Sequence, residues 1–575
     1  MKFIELFNDV VENNPNKIAI KSNQDCLTFF ELNKLSDEII FKVITISNNG
    51  IIAINADHSI NHFILMLACI KAGITFININ MNDPKSFISV ILDAANIHTI
   101  LNMSSSFDER KTYSYEEICY LKESDNKLID KNEWLYIVAT SGSSGIPKLV
   151  KKHDKSLLRS YYQIKKHLPF LFDEKHQIFA PLHFAFGLDQ SLILLFGGST
   201  LIFNDKSDFA DMDYYGSCIK NNNATSIFWS AAMVKLLSRQ PFLFEKIPSC
   251  LKYIIVGGEP IVVSASFIFE MKRKNIKLIN NYGSTETGTL FFTVFEKQLY
   301  DVEEFNKVPV GIPLEGFKVI LENVQEDKGL LSVQSENFWN EYLNNQTASE
   351  NRFRKNESGY ICKIDDICEY KNSEYYVVGR LNNCVNIRGY RVEIEYVESI
   401  ISKALSGEEC CVVPCTNNLA ETRLYCFYSG TIDNEHLKKC IQQELPEYMV
   451  PTHFFQIDYI HHLKNGKLDR VGMNKLLSSV LQTNNVMNED LQSRIIGYVE
   501  SLLNYSVKKE QINIPLKELG IDSIALADLI CIIEFKEKVH IEDGVIFSKK
   551  ISTIEDICNY ILVKKDHNEY NGKNL

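Results

Sequence analysis

Short apolar runs alternate with helical stretches along most of the chain, and this alternation restricts the fold more than any other feature. Strand-like runs occur at Gly50–Asn55, Ile74–Ile79 and Tyr253–Val256, while helical stretches occur at His62–Lys71 and Ile261–Lys274. Such alternation is typical of layered α/β domains with largely parallel sheets. The sequence therefore predicts a large N-terminal α/β domain of layered sheets and helices over residues 1–381.

The C-terminal third has a different pattern. Residues 382–478 mix strand and helix character, which predicts a small α+β subdomain. Ser478–Asn488 is polar and has no periodicity, so residues 479–489 are predicted to be a linker. Residues 490–565 are predicted to form a helical bundle, followed by a disordered tail at 566–575. Helical spacing relates Leu491, Ile495, Ile496, Val499, Leu502 and Leu503, and further helices are predicted to begin near Ile524 and Thr553.

Composition narrows the functional classes. Of the 575 residues, 61 are basic and 73 are acidic, which gives a formal net charge of −12 at pH 7. This balance argues against general binding to nucleic acids or anionic membranes. Met1–Val10 lacks the pattern of a secretory signal, and the 15 cysteines show no paired spacing. We therefore expect a cytoplasmic protein with reduced thiols and with neither a nucleic-acid nor a membrane partner.

A loop of small residues predicts a phosphate-binding site. It follows Trp134–Ala139, an apolar run typical of a buried strand, and its candidate ligands are Thr140, Ser141, Gly142, Ser143, Ser144, Gly145 and Lys148. Glycines let backbone N–H groups approach an anion, while hydroxyls and a lysine attract phosphate oxygens. The loop is not a Walker motif, because Lys148 follows a proline and precedes a leucine. Its chemistry indicates a nucleoside triphosphate.

Further motifs occur in order along the chain. Asn281–Gly288 follows the strand-like run Ile276–Asn280. The other segments are Leu27–Leu32, Lys71–Gly73, Gly257–Glu259, Gly379–Arg380, Ile387–Gly389, Leu445–Pro451 and Asn465–Arg470. Together with the phosphate loop they resemble the adenylate-forming superfamily, which includes acyl-CoA ligases, luciferases and the adenylation domains of nonribosomal peptide synthetases. The resemblance implies activation of a carboxylic acid with ATP and Mg²⁺, which yields an acyl-AMP and pyrophosphate.

The resemblance also implies roles for individual residues. Tyr282 would stack on adenine, and Asp366 would accept hydrogen bonds from the ribose with support from Arg380. Glu286 would bind Mg²⁺. Lys467 would lie between the substrate carboxylate and the α-phosphate, so that Lys467 and Glu286 are the predicted catalytic residues. The implied nucleotide site is completed by Gly258, Glu259, Gly283 and Thr285.

Two positions depart from the superfamily pattern. Ile364-Asp365-Asp366 stands where Thr-Gly-Asp is usual, and Asn382 stands where Asp or Lys usually forms the hinge. Because asparagine tolerates unusual backbone dihedrals, Asn382 still fits a hinge between an adenylating and a thioester-forming pose. The departures leave open a non-catalytic scaffold whose carrier is loaded by a partner.

Within the predicted bundle, Leu519–Ile524 resembles the attachment site of acyl and peptidyl carrier proteins. Ser523 would carry 4′-phosphopantetheine, attached by a phosphopantetheinyl transferase, and would act as an anchor for a thiol arm. The resemblance thus implies an adenylation domain fused to a carrier, which passes a thioester to a downstream acceptor or condensing enzyme in nonribosomal peptide-type biosynthesis. The alternative is a free acyl-CoA ligase with an unused tail.

The acid itself is indicated by one short stretch. Pro181–Leu188 resembles acyl- and aryl-activating members, and Ala185 falls where members that activate α-amino acids have an aspartate. This favours an acid without an α-amino group, and a buried Asp189 would then need a distant amine or hydroxyl of the substrate. If the alignment shifts by four residues, Asp189 becomes the α-amino anchor and an ordinary amino acid is expected. The implied pocket residues are Ala185, Phe186, Asp189, Ile255, Gly257, Asn281, Thr289 and Leu290.

Overall fold

The chain contains two compact units, Met1–Ile460 and His461–Leu575. The computed structural model describes residues 1–22, 25–47, 49–122, 133–140, 148–203, 212–258, 260–295, 305–325, 327–380, 384–405, 409–416, 421–429, 432–457, 459–460, 468–503, 507–508, 511–521, 523–537, 539, 541 and 552–571. Among the helices in these ranges, none is long and apolar enough to cross a membrane.

Helices and strands alternate through most of the first unit, as the sequence predicts. The described helices of the first unit are α1 Phe3–Asn13, α2 Phe29–Ile46, α3 Ile60–Ala72, α4 Lys85–Ala94, α5 Tyr115–Tyr120, α6 Asp154–His167, α7 Ala185–Phe196, α8 Met212–Asn222, α9 Ala231–Arg239, α10 Ala265–Arg273, α11 Gln346–Arg352, α12 Ile394–Ala404 and α13 Asn434–Glu444. Those of the second unit are α14 Arg470–Leu503, α15 Ser523–Glu537 and α16 Ile554–Asn571. Short 3₁₀ helices lie at Pro169–Asp173, Pro241–Lys246 and Glu447–Met449.

The strands that the structure describes all belong to the first unit. They are β1 Ile18–Lys21, β2 Cys26–Thr28, β3 Ile51–Asn55, β4 Thr75–Ile79, β5 Thr99–Leu101, β6 Lys111–Tyr113, β7 Trp134–Thr140, β8 Lys148–His153, β9 Lys175–Ile178, β10 Thr200–Ile202, β11 Ser226–Phe228, β12 Tyr253–Gly257, β13 Val262–Ser264, β14 Lys277–Ser284, β15 Gly288–Phe295, β16 Phe305–Lys307, β17 Ile312–Pro313, β18 Lys318–Gln325, β19 Lys328–Ser335, β20 Glu341–Tyr342, β21 Phe353–Asn356, β22 Gly359–Lys371, β23 Glu374–Arg380, β24 Cys384–Ile387, β25 Tyr390–Glu393, β26 Cys410–Thr416, β27 Thr422–Tyr428 and β28 His453–Gln456.

Two large sheets carry the first unit. In the described ranges one has the order β17-β15-β14-β12-β11-β9-β10-β1-β2, and the other has the order β20-β8-β7-β4-β3-β5-β6. Their central strands are parallel, whereas β14–β15 and β7–β8 are antiparallel pairs. Both antiparallel pairs therefore begin at the carboxyl end of a parallel strand, where α/β sheets usually place their binding sites.

Helices α3 and α7 are buried on nearly all sides within the core of the first unit. Nine residues of α3 and ten of α7 are buried, and residues of both helices share one apolar cluster with strands of the two large sheets. A helix that is buried on nearly all sides is stable only when other elements cover its apolar residues and pair its polar ones. The layered α/β architecture predicted for the N-terminal domain follows from this arrangement.

The predicted helix Ile261–Lys274 is partly wrong. Val262–Ser264 forms β13 and pairs with β16, and α10 begins only at Ala265. Two adjacent β-branched valines favour the strand. The Ser264 hydroxyl then caps the helix by accepting a hydrogen bond from Phe267 N.

The segment after β23 has the predicted α+β character and packs within the first unit. It comprises the hairpin β24–β25, the three-stranded sheet β26-β27-β28, and helices α12 and α13. Its residues Val392, Val397 and Leu437 share a buried apolar cluster with Phe87 and Ile91 of α4. The compact unit thus includes both the predicted core and most of the predicted 382–478 subdomain.

The second unit contains α14, α15 and α16, which share one apolar core. Leu491, Ile495, Ile496 and Val499 are buried there, as their helical spacing predicts. Residues 479–489, predicted as a linker, lie inside the continuous helix α14, because this polar stretch contains neither glycine nor proline. Likewise α16 continues to Asn571, through most of the tail for which the sequence predicts disorder.

Candidate active site

The predicted phosphate loop connects β7 to β8. Thr140 ends β7 and lies opposite Lys148, the first residue of β8, and its hydroxyl donates to the Lys148 carbonyl oxygen at 3.2 Å. Lys148 Nζ lies 3.6 Å from Oε1 of the buried Glu393. Ser141, Gly142, Ser143, Ser144 and Gly145 lie outside the described residues. Both ends of the loop are thus fixed at the carboxyl end of a parallel strand.

A cavity of about 540 Å³ lies beside this hairpin. Of the residues predicted to bind nucleotide or acid, those that line it are Thr140, Ala185, Phe186, Asp189, Gly258, Asn281, Tyr282, Gly283, Thr285, Glu286, Thr289 and Asp366. We call the part formed by Tyr282, Glu286 and Asp366 the β14 end of the cavity. We call the part formed by Ala185, Phe186 and Asp189 the α7 end.

At the β14 end the structure brings together the two residues predicted to contact the nucleoside. Tyr282 of β14 donates its hydroxyl to Asp366 Oδ2 of β22 at 2.5 Å. The ring of Phe291 meets the Tyr282 ring edge-on, with centroids 5.6 Å apart. Arg380 ends β23 and lies opposite Asp366 in the β22–β23 ladder. An aromatic face and a carboxylate acceptor therefore border the same space, as binding of a base and its ribose requires.

Glu286 is buried in the turn between β14 and β15. Its Oε1 accepts a hydrogen bond from Tyr342 at 2.7 Å and lies 3.6 Å from Arg352 Nη2. Its backbone carbonyl accepts from Asn340 Nδ2 at 2.9 Å. These partners come from the segment 340–352, which no sequence motif identifies.

Arg352 forms an ion pair with the Glu286 carboxylate. Burial acts to lower the pKa of Arg352, but the Glu286 carboxylate and other neighbouring groups outweigh burial, so the pKa is raised and the guanidinium stays charged. Arg352 Nη1 also donates to Asp365 Oδ2 at 3.2 Å. In the described ranges, no group of three or more His, Cys, Asp or Glu side chains is arranged for a metal ion. A single carboxylate still fits Mg²⁺, which takes most of its ligands from phosphates and water.

At the α7 end, Asp189 has its partners inside the protein. Tyr136 of β7 donates its hydroxyl to Asp189 Oδ1 at 2.6 Å. Lys152 Nζ of β8 lies 2.8 Å from Asp189 Oδ2 and donates to the carbonyl oxygen of Thr285 at 3.0 Å. Burial raises the pKa of the Tyr136 phenol well above its ordinary value, and the Asp189 carboxylate raises it further. The expectation that Asp189 needs a substrate group as its partner is therefore wrong.

Lys152 belongs to no motif that was identified in the sequence, but its position in a strand gives a clue to its pairing. Lys152 lies in β8, between strands β7 and β20 of a sheet, and its side chain is fully buried. Lysine is almost never fully buried unless it is paired. A charged residue in a strand next to the apolar run of β7 thus predicts a buried partner, but the sequence does not say which carboxylate it is.

Three predicted pocket residues, Ile255, Gly257 and Leu290, are buried without lining the cavity. A Cβ atom at Gly257 would lie 2.9 Å from the Phe186 ring, so Phe186 covers this position. Ile255 lies two residues earlier in β12, on the same face of the strand as Gly257. Thr289 lines the cavity, whereas its neighbour Leu290 points to the opposite face of β15.

Of the remaining predicted site residues, some have a described position in the structure and others lie outside the described residues. The Gly258 carbonyl oxygen accepts from Asn386 Nδ2 at 2.7 Å. A Cβ atom at Gly283 would lie 2.0 Å from the Gly288 carbonyl oxygen, so only glycine fits there. Ser523 is the first residue of α15 in the second unit. Glu259, Asn382 and Lys467 lie outside the described residues.

Comparisons with known proteins show which family this chain resembles. The profile of AMP-binding enzymes matches residues 7–342. Gramicidin S synthase 1 of Brevibacillus brevis is 28% identical over 501 residues, covering 81% of this chain and 44% of that protein. Gramicidin S synthase 2 of the same organism is 24% identical, covering 97% of this chain and 13% of that protein. The chain thus spans less than half of the length of either synthase.

Solved structures share the fold. A variant of o-succinylbenzoate CoA synthetase from Bacillus subtilis superposes with a TM-score of 0.70 at 19% identity, covering 81% of this chain and 97% of that one. An artificially fused adenylation and carrier didomain from Klebsiella oxytoca superposes with a TM-score of 0.68 at 21% identity, covering 84% and 97%. With the adenylate-forming fold and a match over more than half of its length, the chain belongs to the family of AMP-binding enzymes.

Proposed function

We propose that the protein activates a carboxylic acid with ATP and then loads the acyl group onto its own C-terminal unit. In the first step a carboxylate oxygen attacks the α-phosphorus of ATP, and the bond to the β-phosphate oxygen breaks, so that acyl-AMP forms and pyrophosphate leaves. In the second step a thiol sulfur attacks the acyl carbon, and AMP leaves. The observation that carries the proposal is that Tyr282, Asp366 and Glu286 face the same cavity as the start of α7.

The β14 end supports the nucleotide role. The Tyr282 ring offers a face to the adenine, and the Asp366 carboxylate offers acceptors to the ribose hydroxyls. Glu286 is the proposed Mg²⁺ ligand, and the cation would neutralise phosphate charge during the displacement. Lys148 lies at the end of the phosphate loop, and Lys467 is the proposed catalytic lysine between the carboxylate and the α-phosphate.

The α7 end supports an acid without an α-amino group. The helix begins at Ala185, so a methyl group stands where relatives that activate α-amino acids would be expected to have a carboxylate. Asp189 lies one turn later, and both of its oxygens already contact Tyr136 or Lys152. An aryl or acyl acid places no charge at this end. An α-ammonium group here would share the Asp189 carboxylate with Lys152 and would be repelled by the lysine cation.

The second unit supports the carrier role through Ser523. This residue begins α15, and a helix N-terminus favours a phosphate group such as the one that links phosphopantetheine to serine. When attached, the arm would supply the attacking thiol. A tether within one chain raises the local concentration of that thiol near the adenylate.

Exchange of labelled pyrophosphate into ATP tests the first step. Exchange that depends on the added acid is expected, and Lys467→Ala should reduce it by about two orders of magnitude or more. Lys464→Ala, three residues earlier, is the matched control and should leave the rate unchanged. A Lys467→Ala protein that exchanges at the unaltered rate would contradict the catalytic role, and a chain inactive with every acid would favour a scaffold.

Intact mass tests the second step. Incubation with coenzyme A and a phosphopantetheinyl transferase should add one phosphopantetheine to the chain, and Ser523→Ala should abolish the addition. Subsequent ATP and substrate should add the acyl mass to the modified chain alone. A wild-type chain that gains no mass would contradict the carrier role and favour a free CoA ligase.

A further inference from the structure

The α7 end of the cavity contains a buried cation for which no sequence motif gives a role. The Lys152 side chain is fully buried, whereas the Asp189 side chain keeps 12% of its surface exposed. Asp189 lines the cavity, and Lys152 stands behind it. A ligand at this end therefore meets a carboxylate whose charge is already balanced by the lysine.

This arrangement favours one class of acid over two others. An ammonium group beside Asp189 would also lie close to Lys152, and the repulsion between the two cations would cancel much of its attraction to the carboxylate. A second carboxylate on the substrate would meet Asp189 before it reached the lysine. A neutral acid avoids both conflicts.

We propose that Lys152 sets the charge preference of the acid pocket, by neutralising Asp189 and thereby selecting acids whose distal end is uncharged. The inference rests on the proposed acid-activating function and adds the substrate class and the residue that determines it. Lys152 acts through Asp189, so it is a positioning residue and does not contact the acid.

The other carboxylates that line the cavity do not offer the same anchor. In the described ranges these are Asp83, Glu286 and Asp366. Asp83 accepts a hydrogen bond from Asn80 at 3.0 Å, and the other two belong to the β14 end. Among these lining carboxylates, Asp189 is the one that pairs with a fully buried lysine.

Lys152 also connects the two ends of the cavity. Its ammonium group donates to the Thr285 carbonyl oxygen in the turn that carries Glu286. A purely structural role through this contact would alter the rate for every acid by the same factor. A role in charge selection changes the ranking of the acids, which makes the ranking the decisive readout.

Three variants separate these roles. Lys152→Met leaves Asp189 with an unbalanced negative charge, Asp189→Asn leaves Lys152 with an unbalanced positive charge, and the double variant Lys152→Met/Asp189→Asn removes both charges. Lys151→Met is the matched control, because Lys151 is the adjacent residue of β8 and its ammonium group contacts Glu341 and the Trp134 ring, away from Asp189. Thermal unfolding confirms that each variant is folded.

The probes are two matched sets of acids in the pyrophosphate-exchange assay. One set is hexanoic acid, its ω-amino derivative and the dicarboxylic acid of the same length. The other is benzoic acid with its para-aminomethyl and para-carboxyl derivatives. For each variant the kcat/KM of the charged acid is divided by the kcat/KM of its neutral parent.

Lys152→Met should raise the ratio for the ω-amino and para-aminomethyl acids by about tenfold or more. Asp189→Asn should raise the ratio for the dicarboxylic acids by a similar factor. The double variant and Lys151→Met should keep the wild-type ratios within about threefold. If Lys152→Met does not fold, Asp189→Asn decides, because it should raise the ratio for the acids of opposite charge.

Unchanged ratios in folded Lys152→Met and Asp189→Asn proteins would overturn the inference. That outcome differs from failure of the proposed function, in which the wild-type chain shows no exchange with any acid. If the wild-type chain exchanges pyrophosphate readily and both variants keep its kcat/KM ratios, only the role of Lys152 is contradicted.

Discussion

Asp366 at the β14 end of the cavity and Asp189 at the α7 end have different kinds of partner. At the β14 end, Asp366 accepts a hydrogen bond from Tyr282, a side chain that itself lines the cavity. At the α7 end, Asp189 pairs with Lys152, which is fully buried behind it. The first pair leaves polar groups facing the cavity, whereas the second balances charge within the protein, as Arg352 also does for Glu286 at 3.6 Å. The difference between Asp366 and Asp189 suggests that Asp366 recognises polar groups of the ligand, whereas Asp189 accepts an uncharged group.

The largest expected effect is on the buried pair. Lys152→Met should lower the free energy of unfolding by about 3–5 kcal/mol, because it leaves the Asp189 carboxylate buried without its cation. Chemical denaturation followed by tryptophan fluorescence measures this, since Trp134, Trp229 and Trp339 all lie in the first unit. Adding Asp189→Asn should recover most of the loss. A Lys152→Met protein as stable as wild type would show that the pair is not needed.

Next is the loss of the carboxylate at the β14 end. Glu286→Gln should reduce pyrophosphate exchange by about 10²–10³-fold for every acid, because the proposed Mg²⁺ ligand loses its charge. Glu315→Gln on the surface is the control and should have no effect. If the exchange rate falls for some acids only, Glu286 takes part in acid selection, and the two ends of the cavity do not have separate roles.

A smaller effect concerns pH. The Tyr136 phenol has a raised pKa in the folded chain, while in the unfolded chain it ionises near pH 10. Stability is therefore fully present below pH 10 and falls as the pH rises above it. Tyr136→Phe removes the group that loses a proton on unfolding above pH 10. The slope of the free energy of unfolding against pH should therefore change by up to about 1.4 kcal/mol per pH unit. Urea unfolding on either side of pH 10 measures it, and equal slopes would contradict the buried phenol.

The smallest effect is expected at Tyr282. Phenylalanine keeps the aromatic face but loses the hydrogen bond to Asp366, so Tyr282→Phe should raise the KM for ATP by about fivefold, equivalent to about 1 kcal/mol. The ranking of acids should stay the same. Titration of ATP at saturating acid measures the change. A rise in the KM for the acid instead would place Tyr282 at the other end of the cavity.

The two residues implied to contact the nucleoside meet at the β14 end, whereas the partners of Asp189 at the α7 end differ from those that the sequence implies. Tyr282 and Asp366 are implied by the resemblance to the superfamily, and the structure brings them together although they lie 84 residues apart in the chain. The contacts of Asp189 depend on three elements that meet only in the folded chain. No local pattern links Tyr136 or Lys152 to a residue of α7, so a partner from the substrate was expected instead.

The same distinction explains the errors in the fold. The ends of central strands such as β4 and β12 agree with the sequence prediction within one or two residues. Continuous apolar runs bounded by glycine are strong local signals of a strand. Residues 479–489 were predicted as a linker from polarity alone, yet they continue α14. Polarity does not separate a solvated helix from a linker when glycine and proline are absent.

The most direct test of the account compares acids in pairs. Pyrophosphate exchange by the wild-type chain is measured with aryl and acyl acids, each beside its α-amino counterpart. The charge-balanced α7 end predicts a higher kcat/KM for the member without the amino group in each active pair. A consistent preference for the α-amino member would contradict the account, because it would require a carboxylate that Lys152 has not neutralised.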